Sequence, residues 1–301
     1  MIELEGVPEL VDPVLIAAFE GWNDAGEAAT GAIEHLEREW KASPIGALDP
    51  DDYYDFQVNR PTVGISADGE RSITWPTSRF SYARVHLPAQ GRTRDVVLLR
   101  GIEPNMRWRG FTDEILELAA ELGVEMVVTL GALLADAPHT RPIPVTSSAT
   151  EPGLAGRLGI EISRYEGPTG IVGVLQDRAG QLDVPAVSLW AAVPHYVAQP
   201  PSPKATLALL RAVEDLLDLS VPLGELPEDA RAWERGVDEL AAEDSEVAEY
   251  VRGLEEAKDT ADLPEASGEA IAREFERYLR RRGDNGPGQG PPSGPGPTSG
   301  R

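Results

Sequence analysis

Hydrophobic positions follow two rhythms along this chain, and the alternation between them sets out the architecture. Residues 14–19 (VLIAAF) form a short unbroken apolar run of the kind found in strands covered on both faces. The turn GWNDAG follows, after which Ala28, Ala32, Ile33, Leu36 and Trp40 recur at helical spacing and predict a helix over about 25–40. Asp24 stands at its N-cap position with Glu27 three residues on, the pattern of a capping box. Residues 95–101 (DVVLLRG) repeat the design, leading through IEPNMRW into a helix over about 108–122 that stops at Gly123. Residues 125–134 supply a further strand. The runs 171–175 and 186–192 read as two more, the second leading through a Pro-rich turn into a helix over about 203–219.

Strands alternating with helices predict an α/β fold, a mainly parallel sheet flanked by helices. In residues 53–90 the pattern changes: Phe56, Val58, Val63, Ile73, Trp75, Tyr82 and Val85 alternate roughly and predict antiparallel strands inserted into the series, so the sheet is mixed at that edge.

Beyond about residue 220 the helical period continues without strands. Trp233, Val237, Leu240, Val247, Val251 and Leu254 give apolar stripes on two short helices, and Ile271, Phe275, Tyr278 and Leu279 share one side of a third over about 265–282. Residues 225–265 carry 15 acidic and four basic side chains, a net of −11 in a chain whose formal charge is −24. Two readings follow: a helical layer with a solvated acidic face, or a docking surface for a basic partner. The last 19 residues hold seven Gly and five Pro and offer little to bury against the entropy of ordering, so a disordered tail is expected. The Arg282-Gly283-Asp284 triplet there is read as a chance match to an adhesion signature. The expected division is thus 1–220 as an α/β core, 221–282 as an acidic helical extension and 283–301 as tail.

Charge and composition exclude several classes. The net charge argues against nucleic acid as a partner, because affinity for phosphate backbones comes from Lys and Arg. No stretch approaches the roughly 20 uncharged residues of a membrane span, and MIELEGVPEL carries acids where an export signal is basic, so a cytoplasmic protein is expected. The absence of cysteine removes disulfides, thiolate metal sites and thiol nucleophiles. Neither a metal nor a cofactor is expected.

In a parallel α/β sheet the strand-to-helix turns emerge at the carboxyl edge, where ligands bind. Four polar segments fall there: 20–26, 101–109, 135–145 and 194–203. Together they gather Glu20, Trp22, Asn23, Asp24, Glu103, Asn105, Arg107, Arg109, His139, Arg141 and His195 around one expected crevice, a set suited to an anionic or polar ligand. Each has a plainer use as well. Asp24 serves equally as a helix cap or a catalytic carboxylate. Glu103 can shape a turn or meet a helix N-terminus, and Arg107 and Arg109 can pair with neighbouring acids. His139 stands out, set in a proline-stiffened loop after a strand, but no side chain at metal-ligand spacing accompanies it. The signatures G-x-x-x-x-G-K-[ST], G-x-G-x-x-G, G-x-S-x-G and H-E-x-x-H are absent. Gly167, Gly170 and Gly173, spaced differently and placed before an expected strand, read as a turn.

GWNDAG, Tyr54-Asp55-Phe56 before Arg60-Pro61, Trp75-Pro76, Gly101-Ile102-Glu103-Pro104-Asn105 with Trp108, and Leu130-Gly131-Ala132 followed by Pro138-His139-Thr140-Arg141-Pro142 together resemble the proteasome assembly chaperone 2 family in its bacterial, actinobacterial-type branch. The resemblance covers about residues 10–220. It implies a three-layer αβα sandwich similar to nucleoside phosphorylases, and homo-oligomers, trimers among them. Eukaryotic relatives dock on the proteasome α-ring through a C-terminal hydrophobic-Tyr-any tripeptide; this sequence ends Thr298-Ser299-Gly300-Arg301, so any docking is expected through other contacts. Two functions stay open: an assembly chaperone or scaffold that binds a protein partner, and an enzyme or binding protein for a nucleoside-like or small anionic ligand.

Overall fold

The first apolar run folds as strand β1 (Val14–Glu20), with its first six residues buried. Alternation of its side chains divides the interior in two. Val14, Ile16 and Ala18 point to one face of the sheet and Leu15, Ala17 and Phe19 to the other, so both faces must be covered by helices. The computed structural model describes residues 9–66, 68–87 and 91–262, and the third C-terminal helix and the tail expected from the sequence lie outside them.

Along the chain β1 is followed by α1 (Ala28–Glu39), β2 (Ser43–Ala47), β3 (Thr62–Ile65), β4 (Arg71–Thr74), β5 (Arg79–Leu87), β6 (Arg92–Ile102), α2 (Trp108–Glu121) and β7 (Met126–Ala135). Then come β8 (Val145–Ala149), α3 (Pro152–Leu158), β9 (Glu161–Ile162), α4 (Ile171–Gln181), β10 (Ala186–Pro194), α5 (Pro203–Leu217), α6 (Leu226–Glu243) and α7 (Ser245–Asp262). The main sheet of the described residues has eight strands in the order β2-β5-β6-β1-β7-β10-β8-β9. Its centre, β6-β1-β7-β10, is parallel, while β5 joins β6, and β8 joins β10, antiparallel. β3 and β4 form a separate antiparallel ribbon. The inserted antiparallel segment is therefore real, though only β5 of it reaches the central strands.

Helices α1 and α5 cover one face through Ile33, Leu36, Leu210 and Val213. Helices α2 and α4 cover the other through Phe111, Ile115, Val172 and Leu175, which completes a three-layer αβα sandwich with a mainly parallel mixed sheet. Helix α6 lies against α5. The chain through Lys258 is one compact unit, so α6 and most of α7 belong with the sheet.

Two local expectations are corrected. Residues 171–175 are not a strand but the first turns of α4. A five-residue apolar run is ambiguous by itself, and here Ile171, Val172, Leu175 and Ala179 share one buried helix face that continues past the run. Of the three glycines read as a turn, Gly167 precedes the helix, Gly170 is its N-cap and Gly173 lies in its first turn. The capping box at α1 also does not form: a single helical turn at Ala25–Glu27 intervenes, and Glu27 adopts a left-handed conformation (φ 51°). Gly123 does follow α2 in the left-handed conformation (φ 71°) that a helix stop needs.

Candidate functional site

Because β1, β6, β7 and β10 run in the same direction, the turns that follow them all leave from one edge of the sheet, as expected. They do not share one crevice. The candidate residues fall into three groups, and the first adjoins an open cleft of about 1970 Å3.

Glu20, Trp22 and Asp24 line this cleft. Asp24 is buried, and its carboxylate accepts from the N–H groups of Ala29 (2.7 Å) and Thr30 (3.3 Å) and from the Thr30 hydroxyl. It caps α1 across the intervening turn, satisfying donors the helix cannot satisfy internally. Burial pushes its carboxyl up, and the bonds from Thr30 and Ala29 only partly offset this. A carboxyl whose folded pKa exceeds its unfolded one adds stability that is fully present below the unfolded value and lost as pH rises through the folded value, so ionised Asp24 is held at a cost. Glu20 shifts the same way, first through partial burial and then through Asp24, Glu27 and Glu34, against the opposing pull of Arg100.

Asn23 lies just beneath, 1% exposed; its Nδ2 donates to Glu103 Oε1 at 2.7 Å, and the same oxygen accepts the Ile171 N–H at 2.9 Å. Glu103 thus fastens the β1 turn to the N-terminus of α4, where the helix dipole favours a carboxylate.

The second group stands apart from the cleft lining. Asn105 Oδ1 accepts from the Asp55 N–H and from Asn59 Nδ2, both at 2.8 Å. Arg107 pairs with Asp52 and lies over the Tyr53 ring at 5.8 Å, and Arg109 is exposed on the first turn of α2. The third group meets the C-terminal helices. His139, 1% exposed, engages Tyr196 and Asp238; Arg141 pairs with Glu255 at 3.2 Å; His195 lies 3.4 Å from Asp136 and edge-on to Tyr250.

Much of the cleft comes from residues the sequence did not single out. Thr146, Ser148 and Thr150 alternate along and just beyond β8 to face it, as do Ser188 and Trp190 on β10. Ser148 Oγ lies 3.2 Å from Ser188 Oγ, and Gln176 Nε2 donates to the Ser148 carbonyl at 3.2 Å. The Trp190 ring spreads over its register partner Gly131, where an added Cβ would stand 2.6 Å from the ring; only glycine leaves room. The mouth is apolar: Trp22, Leu133, Leu134, Ile162 and Tyr165 line it at 44 to 68% exposure. Period-two polar residues in VTSSAT were the available signal for β8; exposure of the leucines has no signal in the sequence, since it depends on what the fold leaves uncovered. Among the described residues no group of three His, Asp or Glu side chains is arranged to hold a metal ion, and no helix is long and apolar enough to cross a membrane.

The profile of the PAC2 family matches residues 18–241. A PAC2 family protein from Streptomyces avermitilis is 64% identical, with a TM-score of 0.75 over 80% of this chain and 100% of that one. A proteasome-assembly chaperone homologue from Mycobacterium tuberculosis is 55% identical, with a TM-score of 0.71 over 79% of this chain and 99% of that one. An archaeal homologue of proteasome-assembly chaperone from Pyrococcus furiosus, 18% identical with a TM-score of 0.57 over 86% of this chain and 100% of that one, shares the fold. No curated protein matches the chain.

Proposed function

The chain belongs to the PAC2 family, and on that premise we propose that it is a protein-binding factor of the assembly-chaperone kind, which takes a proteasome subunit as partner and receives part of it in the cleft at the carboxyl edge of the sheet. One observation carries the reading: five large apolar side chains, Trp22, Leu133, Leu134, Ile162 and Tyr165, stand exposed on one concave surface. Contiguous exposed apolar surface marks an interaction site, and covering it yields about 25 cal/mol per Å2. The kind of partner comes from the name of the Mycobacterium tuberculosis relative. The charge of the lining favours a protein segment over a small anion, since Glu20, Asp24, Glu27, Glu161 and Asp177 line the cleft against one basic side chain, Arg164.

Sedimentation of the purified chain with proteasome subunits from the same cell tests the proposal. A complex with micromolar affinity is expected. Leu134→Glu, at a half-exposed position, should weaken it by about 2 kcal/mol, roughly 30-fold, with the urea midpoint of the variant measured alongside. No complex with any proteasome subunit at high micromolar concentration would contradict the proposal.

A further inference from the structure

The walls of the cleft narrow the chemistry of what it receives. On one side stand Trp22 of the β1 turn and Leu133 and Leu134 at the end of β7; on the other stand Ile162 of β9 and Tyr165 just beyond. β9 is last in the strand order and pairs with β8, and residues 161–169 are all exposed. An edge strand beside an apolar trough is the arrangement in which an extended chain is held, its main chain along the edge and alternate side chains in the trough.

The carboxylates at the β1 end differ from one another. Asp24 is occupied by the N-terminus of α1, and Glu34 pairs with Arg100. Among the described residues no basic side chain stands within ion-pair distance of Glu20 or Glu27, although both line the cleft and the charge of Glu27 acts on Glu20. Two carboxylates without an ion pair of their own, Glu20 feeling Arg100 only at longer range, stand beside an apolar surface and complement a cation carried on an apolar segment.

We infer that the cleft selects an extended polypeptide segment in which apolar side chains lie next to a Lys or Arg, the apolar groups seated between Leu134 and Tyr165 and the cation against Glu20 and Glu27. This rests on the cleft's being a protein-binding site, and it adds which sequence is bound.

Display selection from a library of randomised nine-residue peptides tests the inference with the whole chain as bait. Selected peptides are expected to be enriched in Lys or Arg beside Leu, Ile, Val or Phe. A synthetic peptide from the selection should bind the Glu20→Gln/Glu27→Gln variant about ten-fold more weakly at about 50 mM salt, with the difference shrinking to about two-fold at about 0.5 M. It should not bind Leu134→Glu measurably. Failure to enrich any peptide, enrichment in acidic residues, or a basic preference that the double variant keeps would overturn the inference. The two proposals fail separately. Proteasome subunits that sediment with the chain while no basic preference emerges would remove only the sequence preference. Basic apolar peptides that depend on Glu20, Glu27 and Leu134, with no subunit bound, would uphold the preference and remove the proteasome as partner.

Discussion

Replacing His139 by alanine is expected to lower folding stability by about 2–4 kcal/mol and to loosen α6 from the sheet, the combined cost of a buried cavity and of hydrogen-bond partners left unpaired. The side chain is 1% exposed and fully engaged. Its backbone N–H donates to Tyr196 Oη at 2.8 Å, the Tyr196 hydroxyl lies 2.8 Å from Nδ1, and Nε2 lies 3.0 Å from Asp238 Oδ1. The ionised Asp238 carboxylate can only accept, so Nε2 carries a proton and donates to it. Neighbouring contacts extend the attachment. The His139 carbonyl accepts from Lys204, which also pairs with Glu234 on α6, while Thr140 and Arg141 hold Glu255 on α7. The acidic helices are thus fastened to the loop after β7 by specific pairs, which uses part of their charge internally. Urea unfolding, with hydrogen exchange read across α6, measures the effect. A variant as stable as the parent that had lost its partner would instead place His139 in the binding surface.

Phe111→Ala is expected to cost about 3–5 kcal/mol, the usual range for emptying a fully buried aromatic site. Phe111 is completely buried on the first turn of α2, with ring centroids 5.7 Å from Phe19 and 5.2 Å from Tyr53, both edge to face. It joins three elements: the end of β1, the segment at Tyr53, and α2. Tyr53 in turn accepts the Asn105 N–H at 2.9 Å through its carbonyl, so the cavity would also weaken the turn that carries Glu103. The shift in urea midpoint at unchanged slope measures the loss, and a change below about 1 kcal/mol would show that the surroundings collapse onto the gap.

Legibility in the sequence followed from burial. β1, β6, β7 and β10 are covered on both faces and read as unbroken apolar runs, and α1, α2 and α5 carry wide apolar stripes over the sheet. β8 escaped because it lies next to the sheet edge with polar side chains toward the cleft, β9 because it is an edge strand of only two residues, and α4 was misread because its buried stripe starts as a continuous run. The site divided along the same line. The sequence could place Glu20, Trp22 and Asp24 at the carboxyl edge, since chain direction alone sets that. It could not tell that the loop bearing His139 turns beneath α6, because that depends on Asp238, 99 residues away. Asp24 took the plainer of its two readings, capping α1, and it lines the cleft as well.

The cleft as the partner-binding surface is tested most directly by photo-crosslinking. Benzoylphenylalanine placed at Leu134 or at Tyr165 lies in the cleft, whereas at Leu182, about as exposed as Leu134 and at the C-cap of α4, it does not. With proteasome subunits present, adducts are expected from positions 134 and 165 and none above background from 182. Adducts as strong from 182, or none from the two cleft positions, would contradict the account.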